Sequence, residues 1–392
     1  MKTPNETLIT GIGVLSPSGI GAEALWEDCL NKKSQTSDGL GCISDKDFKS
    51  LCSLVNESPW LKKKPLSLER SLYFSLYSII SAISDAGWKE FNQSDVLLIG
   101  TTTGQLSSWE TKFIDLCQKK LEEEDLSYLD KQPLGNLGDS LREALSFPGK
   151  IHIISSACSA STQALGMAHD YLNSKRSERV IVGGVEELGQ LTIKGFGSLK
   201  LLSNKSCTPF DQERSGINLS EGSAFYTFEK KSLMRPHAYI VGGRTFLDSY
   251  HMTSPHPEGR GYKRSIIESL KQADITSDEI DLVHAHGTGT FNNDQAEANA
   301  IGEIIGASTP VISTKGVHGH ALGASGAIEL SLCIQILKSA MIPPITGLNN
   351  VDPEFKLLLP KEKIERKVTY LLKSTLGFGG VNSSIILKGV AQ

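Results

Sequence analysis

Residues 153–168 read IISSACSASTQALGMA. The β-branched pair Ile153–Ile154 stops abruptly, and a run of Ser, Ala and Thr follows where a helix should begin. That is a buried strand turning directly into a helix, the corner of an α/β fold. The same alternation extends outward in both directions. TLITGIGVLSP, VLLIGTTTG and VIVGG read as buried strands, and ERSLYFSLYSIISAISDAG reads as a core helix. In that helix Leu68, Leu72, Leu76, Ile79, Ile80 and Ile83 recur at helical spacing, and Gly87 is the expected stop. From Ala238 the pattern starts again with AYIVGG and runs through DLVHAHGTGT and PVISTKGVHGH to YLLKSTLGFGG. Residues 151–165 and 311–330 echo each other as strand, small-residue corner and small-residue helix, so two related halves are expected, residues 1–236 and 237–392. The acidic, then Pro- and Gly-marked segment 118–150 reads as an excursion over the surface.

Composition narrows the class. The 392 residues are 39% hydrophobic and 21% charged with a formal net charge of −4, values of a globular protein with no basic excess for nucleic acid. Seven cysteines are scattered without a C-x-x-C pair, which argues against a disulfide framework and for a reducing compartment. No apolar run reaches membrane-spanning length and MKTPNETLITGIG has no signal core, so the cytoplasm is expected and no membrane partner.

Cys158 is the first candidate for chemistry. At a helix N-terminus, unpaired N–H groups favour the thiolate, which is expected to lower its pKa, and the small residues Ser159, Ala160 and Ser161 would leave room for a substrate. The pairs His284/His286 and His318/His320 each precede or follow glycine at strand ends, and i, i+2 spacing on a strand places both members on one face. Four imidazoles would suit zinc or copper, but no acidic or thiolate ligand recurs at short spacing, and no metal is expected. The alternative is that His286 alone of its pair points into a site. Lys315, five residues before His320, would need a carboxylate, for which Glu297 is the candidate. The loop LGFGGVNSS (376–384) permits close backbone approach at Gly379 and carries Phe378. GIGVLS has serine where a dinucleotide fingerprint needs glycine, and no phosphate loop occurs. One thiol, two glycine-flanked histidines and a lysine point to covalent acyl transfer.

ACSAS around Cys158, AHGTGT (285–290), STKGVHGHALGASGA (313–327) and GFGGVN (377–382) resemble, in order, the motifs of the elongating Cys-His-His β-ketoacyl-acyl-carrier-protein synthases. ITGIGVLSP, PFDQERSGINLSEG and DSYHMTSP carry the resemblance over nearly the whole chain. It implies the thiolase-like fold, two similar α/β halves in five αβαβα layers, forming a homodimer or a heterodimer with a related ketosynthase or chain-length factor. It implies that Cys158 takes an acyl group from the phosphopantetheine of an acyl carrier protein, with no cofactor of the enzyme's own. His286 and His320 would then stabilise the enolate of decarboxylating malonyl thioester. Lys315 would organise His320, paired with Glu297. Phe378 would gate the site, its backbone N–H joining that of Cys158 in an oxyanion hole, and Thr288 and Thr290 would contact the pantetheine arm. His318 and Leu376 depart from the family pattern, and fatty acid, polyene or polyketide synthesis are all compatible with it. Carrier proteins are acidic, and Lys62, Lys63, Lys64 and Arg70 form the best basic cluster for docking. A thiolase and a chain-length-factor-like subunit are the alternatives; a thiolase would use a second cysteine near the C-terminus, where this chain has GFGG.

Overall fold

The computed structural model describes residues 5–65, 68–118 and 133–391. Counting only the elements that position the site, the first half supplies β1 (Thr7–Ser16), β2 (Val96–Gly100), β3 (Lys150–Ile154), β4 (Arg179–Glu186) and β5 (Gly222–Glu229). The second supplies β6 (Ala238–Leu247), β7 (Leu282–His284), β8 (Val311–Ile312), β9 (Tyr370–Gly377) and β10 (Val381–Lys388). Along the sheet they run β8-β7-β9-β10-β6-β1-β5-β4-β2-β3. Outward from the centre, each half therefore repeats one order: first, fifth, fourth, second, third. Directions repeat as well. In each half the first, fifth and fourth strands pair antiparallel and the outer two add in parallel. β1 and β6 meet over only three residue pairs, Thr7–Ile9 against Ile240–Ala238.

Helices complete the layers. α1 (Arg70–Asp85) packs on β1, β5 and β4, and its counterpart in the second half, the helix Arg260–Ala273, packs on β6 and β10. Between the halves lie the helix after β3, Ala160–Asn173, and the helix Ser325–Ser339, each touching strands of both halves. The order is helix, sheet, helix, sheet, helix, the five layers expected.

α1 buries Leu72, Leu76, Ile79 and Ile83. Each such side chain contributes roughly 1.5–3 kcal/mol of transfer free energy. Ile80 is half-buried, and Leu68 lies outside the helix and is 66% exposed. The apolar stripe thus begins at Leu72, because the chain before Arg70 has not yet turned helical. Gly87 takes the left-handed conformation (φ 68°) just past the end, as a terminating glycine should. Part of the expected surface excursion is also corrected. Residues 119–132 lie outside the described residues, but α2 (Gly135–Leu145) buries Leu137, Leu141 and Leu145 against α1 and β3.

The small residues of 153–168 have a packing reason. A Cβ on Gly326 would sit 2.0 Å from the Thr162 hydroxyl, and one on Gly100 would sit 2.4 Å from the Ser161 amide. Ser161 accepts a hydrogen bond from the Ala327 amide at 3.0 Å. Two central helices can approach this closely only if both carry small side chains. Ser161 therefore serves the helix contact, and Ser159 donates to the Ser156 carbonyl at 2.7 Å; Ser159, Ala160 and Ser161 do not line the cavity described below, so the expectation that they make room for substrate is not met.

Candidate active site

The chain after β3 bends sharply. Ala157 is held at φ 50°, a left-handed conformation that costs a residue with a Cβ about 1–2 kcal/mol. Cys158 follows this bend, and the helix Ala160–Asn173, α3 here, starts two residues later. The bend turns Cys158 into a cavity of about 470 Å³ while leaving it only 5% exposed. β8 leads to an equivalent corner, a helical turn at Lys315–His318 with His320 beyond it. β7 leads to His286 and β9 to Phe378. All four segments leave the carboxyl ends of parallel strands, the usual place for a site in an α/β sheet.

Burial pushes the Cys158 thiol up to about 11, against the opposing pull of the Lys315 charge and of the N–H groups of Phe378 and Cys158 itself. The expectation of a lowered pKa is overturned here: desolvation of a sulfur anion outweighs the helix N-terminus and the nearby cation. Thiolate is then a small, pH-dependent fraction. Alkylation of Cys158 by iodoacetamide is expected to accelerate about tenfold per pH unit between about pH 7 and 10, with no plateau. A plateau near pH 7, read from peptide mass spectra, would contradict this.

His286 and His320 face each other at 5.1 Å between ring centroids, nearly perpendicular (82°). One ring nitrogen of each and the Cys158 sulfur lie within 4.8 Å of one another. His320 Nδ1 is engaged by the Ser325 hydroxyl at 2.7 Å, which leaves Nε2 free. Burial, reinforced by the Lys315 charge, holds both imidazoles well below their usual range, so both are neutral at ordinary pH. The other two histidines go elsewhere. β7 ends at His284, so strand alternation does not carry on to His286. His284 and His318 both reach the Thr314 hydroxyl at 3.1 Å and do not line the cavity. The two H-x-H pairs are split, with one member of each in the site.

The expected Lys315–Glu297 pair is not formed. Lys315 donates to the His286 carbonyl at 2.7 Å and pairs with Glu329, from the helix Ser325–Ser339, which is α4 here. Glu297 instead accepts the backbone N–H groups of His286 (2.6 Å) and Gly287 (2.7 Å). The reason is reach and geometry: a loop with left-handed Gly287 turns its amides toward the next helix, and a carboxylate there satisfies two buried donors at once. Burial raises Glu297 to about 7 despite those two bonds. Asp294 does the same for the next turn, accepting from Thr288 and Gly289.

Thr288, Thr290, Phe378 and Gly379 line the cavity, with Leu376 beside them. Phe378 stacks on Phe196, 5.6 Å between centroids and 17° between planes. The expected docking cluster divides. Lys62 and Lys64 are exposed and Lys63 pairs with Glu143 on the surface. Arg70 is not available: it pairs with Glu221, donates to the Ile43 carbonyl at 2.9 Å and packs over Phe48 and Phe74. Its position at the start of α1 turned it inward.

Sequence reasoning passed over Glu329, Lys373, Asp294 and Arg214. Glu329 sits in an apolar helical pattern, SGAIELSLCIQIL, where a lone carboxylate is itself a signal of a buried partner. Lys373 in the buried strand YLLKSTLG carried the same signal.

The chain matches the family description "Beta-ketoacyl synthase, N-terminal domain" over residues 60–233 and "Beta-ketoacyl synthase, C-terminal domain" over residues 237–349. It is 28% identical to a putative polyketide beta-ketoacyl synthase 1 of Streptomyces cyaneus, with 98% of each chain covered. It is 29% identical, again over 98% of each, to 3-oxoacyl-acyl-carrier-protein synthase 2 of Synechocystis sp.. Among solved structures, the ishigamide ketosynthase/chain length factor superposes with a TM-score of 0.89 over 99% of this chain and 100% of that one, at 24% identity. A ketosynthase of Xenorhabdus doucetiae, solved with its chain length factor, gives 0.82 over 98% of each at 26%.

Proposed function

The chain belongs to the β-ketoacyl synthase family, and from that premise we propose that it condenses an acyl group held on Cys158 with malonyl-acyl-carrier protein. In the first step the Cys158 thiolate attacks the thioester of an acyl carrier, and the carrier leaves as its thiol. In the second, malonyl thioester loses carbon dioxide. The electron pair of the broken C–C bond forms an enolate, whose oxygen accepts hydrogen bonds from the neutral rings of His286 and His320. The enolate carbon attacks the acyl-cysteine carbonyl, whose oxyanion is met by the backbone N–H groups of Phe378 and Cys158. Collapse releases β-ketoacyl carrier and returns the sulfur as thiolate. Lys315 and Glu297 act through the His286 loop that they hold. Thr288, Thr290 and Gly379 would line the path of the phosphopantetheine arm, which brings the substrates; no further cofactor is required.

The observation that carries this reading is the meeting of Cys158, His286 and His320 within 4.8 Å at the floor of one cavity. A thiolase would need a second cysteine there, and among the described lining residues Cys158 stands alone. Incubation with acyl-carrier and malonyl-carrier, in buffer containing a chelator, is expected to give one carbon dioxide per β-ketoacyl product. Chain extension from an acetyl thioester without release of carbon dioxide would point to a thiolase instead.

A second reading concerns assembly. Among the described residues β3 ends the sheet with one edge unpaired, and pairing with another subunit would satisfy it. The partner is a second copy or a related ketosynthase or chain-length factor, the two halves 1–236 and 237–392 staying in one chain. No described helix is long and apolar enough to cross a membrane, and a cytoplasmic setting fits the carrier-bound substrates. Lys62, whose ammonium donates to the Pro59 carbonyl at 2.7 Å, and Lys64 are the exposed cations left in the proposed docking cluster. Reversing both is expected to raise KM for acyl-carrier about three- to tenfold and leave KM for a small acyl thioester unchanged. Equal effects on both substrates would remove the docking role.

A further inference from the structure

Behind the two cavity histidines Lys315 belongs to a cluster whose other members the reaction just described does not use. Lys373 is fully buried on β9, in register with His284 of β7. Its ammonium forms an ion pair with Glu329 Oε2 at 2.7 Å, while Lys315 takes Oε1. It also donates to the Ser374 carbonyl and reaches the Thr375 hydroxyl at 3.3 Å, which in turn bonds Thr162 of α3 at 2.7 Å. Lys373 thus ties α4, the strand leading to Phe378 and the helix behind Cys158 to one point.

The titratable groups facing it come from α4, the 315–318 turn and β7. From α4 come Glu329, held well below the usual carboxylate range by Lys315 and Lys373 although burial alone would raise it, and Cys333, whose thiol burial pushes up. The 315–318 turn contributes Lys315 and His318, and β7 contributes His284; burial lowers the two imidazoles to about 4 and about 3, so both are neutral. Burial and Lys315 lower Lys373 itself, opposed by Glu329. Two ammonium groups thus share one carboxylate, an arrangement costly to bury and one that a purely structural pair would not need.

We propose, resting on the ketosynthase reading, that Lys373 is a positioning residue of the condensation. By sharing Glu329 with Lys315 it leaves one positive charge in excess behind His286 and His320, which adds to their burial in keeping both rings as neutral donors. Neutrality matters because an imidazolium beside the enolate is acidic enough to protonate it. Malonyl-carrier plus a proton would then end as acetyl-carrier and carbon dioxide, with no carbon–carbon bond formed. Burial acts first on both rings; beyond it His286 feels Lys315, His320, Glu329 and Lys373, and His320 feels Lys315, Glu329, His318 and Lys373. The His286 backbone is tied to Lys315 directly.

The test is a charge series: Lys373→Met, with an excess of zero, and Lys373→Met/Glu329→Gln, which restores an excess of one. Histidine ring titration is followed by NMR on the full-length protein without substrate, with resonances assigned by His286→Gln and His320→Gln. In the wild type both rings are expected to stay neutral well below their ordinary midpoint. Lys373→Met is expected to raise both midpoints by about one unit or more, and the double variant to bring them back most of the way. In turnover, the share of malonyl-carrier that ends as acetyl-carrier is expected to rise as pH falls in Lys373→Met and to match the wild type at pH 8. Unchanged midpoints in folded Lys373→Met overturn the proposal, as does a double variant no closer to wild type than the single one. A wild type that makes no β-ketoacyl product would sink the ketosynthase reading while leaving the titration result standing.

Discussion

Cys158→Ala is expected to abolish β-ketoacyl formation, by at least about 10⁴-fold, while leaving decarboxylation of malonyl-carrier within about tenfold of its starting rate. The two halves of that expectation come from different parts of the site. Acyl transfer needs a sulfur at the bend after β3, and no other cysteine among the described residues lines the cavity. Decarboxylation needs only donors for the enolate oxygen, and His286 and His320 stand on separate corners that Cys158 does not build. Folding should survive, since Cys158 is a small side chain at a cavity wall and its removal leaves no buried polar group unpaired. Mass spectrometry of the intact protein after incubation with acyl-carrier provides the check: an adduct on wild type and none on the variant. Continued elongation by the alanine variant would remove the covalent intermediate from the mechanism.

Replacing His286 or His320 by alanine is expected to give the opposite division. Acylation of Cys158 should persist, and decarboxylation should fall by about 10²–10³-fold, the usual loss for one preorganised donor to a developing oxyanion. Glutamine at either position keeps a neutral N–H and should recover part of that loss. Because both rings are held well below their usual range, the wild-type decarboxylation rate should not decline through pH 7 to 6, where an unperturbed imidazole would be gaining its proton. A rate that halves near pH 6.5 would mean that at least one ring titrates normally. If the alanine variants blocked acylation as completely as condensation, the two roles could not be separated.

The layered α/β architecture, the echo between two strand–corner–helix segments and the identity of the central residues were legible in the linear chain for a simple reason: each rests on local pattern. Buried parallel strands are continuous apolar runs, a βα corner needs small residues, and a nucleophile or imidazole at the end of such a strand has a short motif around it. Cys158, His286 and His320 could be named that way, and so could Phe378, Thr288 and Thr290 through the motifs they share with the family. Carboxylate partners could not. Glu297 and Glu329 are both single acids on helices, and nothing in their spacing tells which one meets Lys315 and which one takes the amides of the His286 loop. Arg70 shows the same limit from the other side, since a cation beside three lysines reads as surface until the fold places Phe48, Phe74 and Glu221 around it.

What the amino-acid order determined by itself was therefore the set of strands, corners and reactive side chains, because hydrophobic periodicity and backbone chemistry act over a few residues. What only the tertiary structure decided was charge and its consequences: that Glu329 lies between two buried lysines, that His284 and His318 turn away to share Thr314, and that the Cys158 thiol is raised. Those depend on how deeply a group is withdrawn from water and on which charges arrive from distant segments, and both are set by packing between elements far apart in the chain.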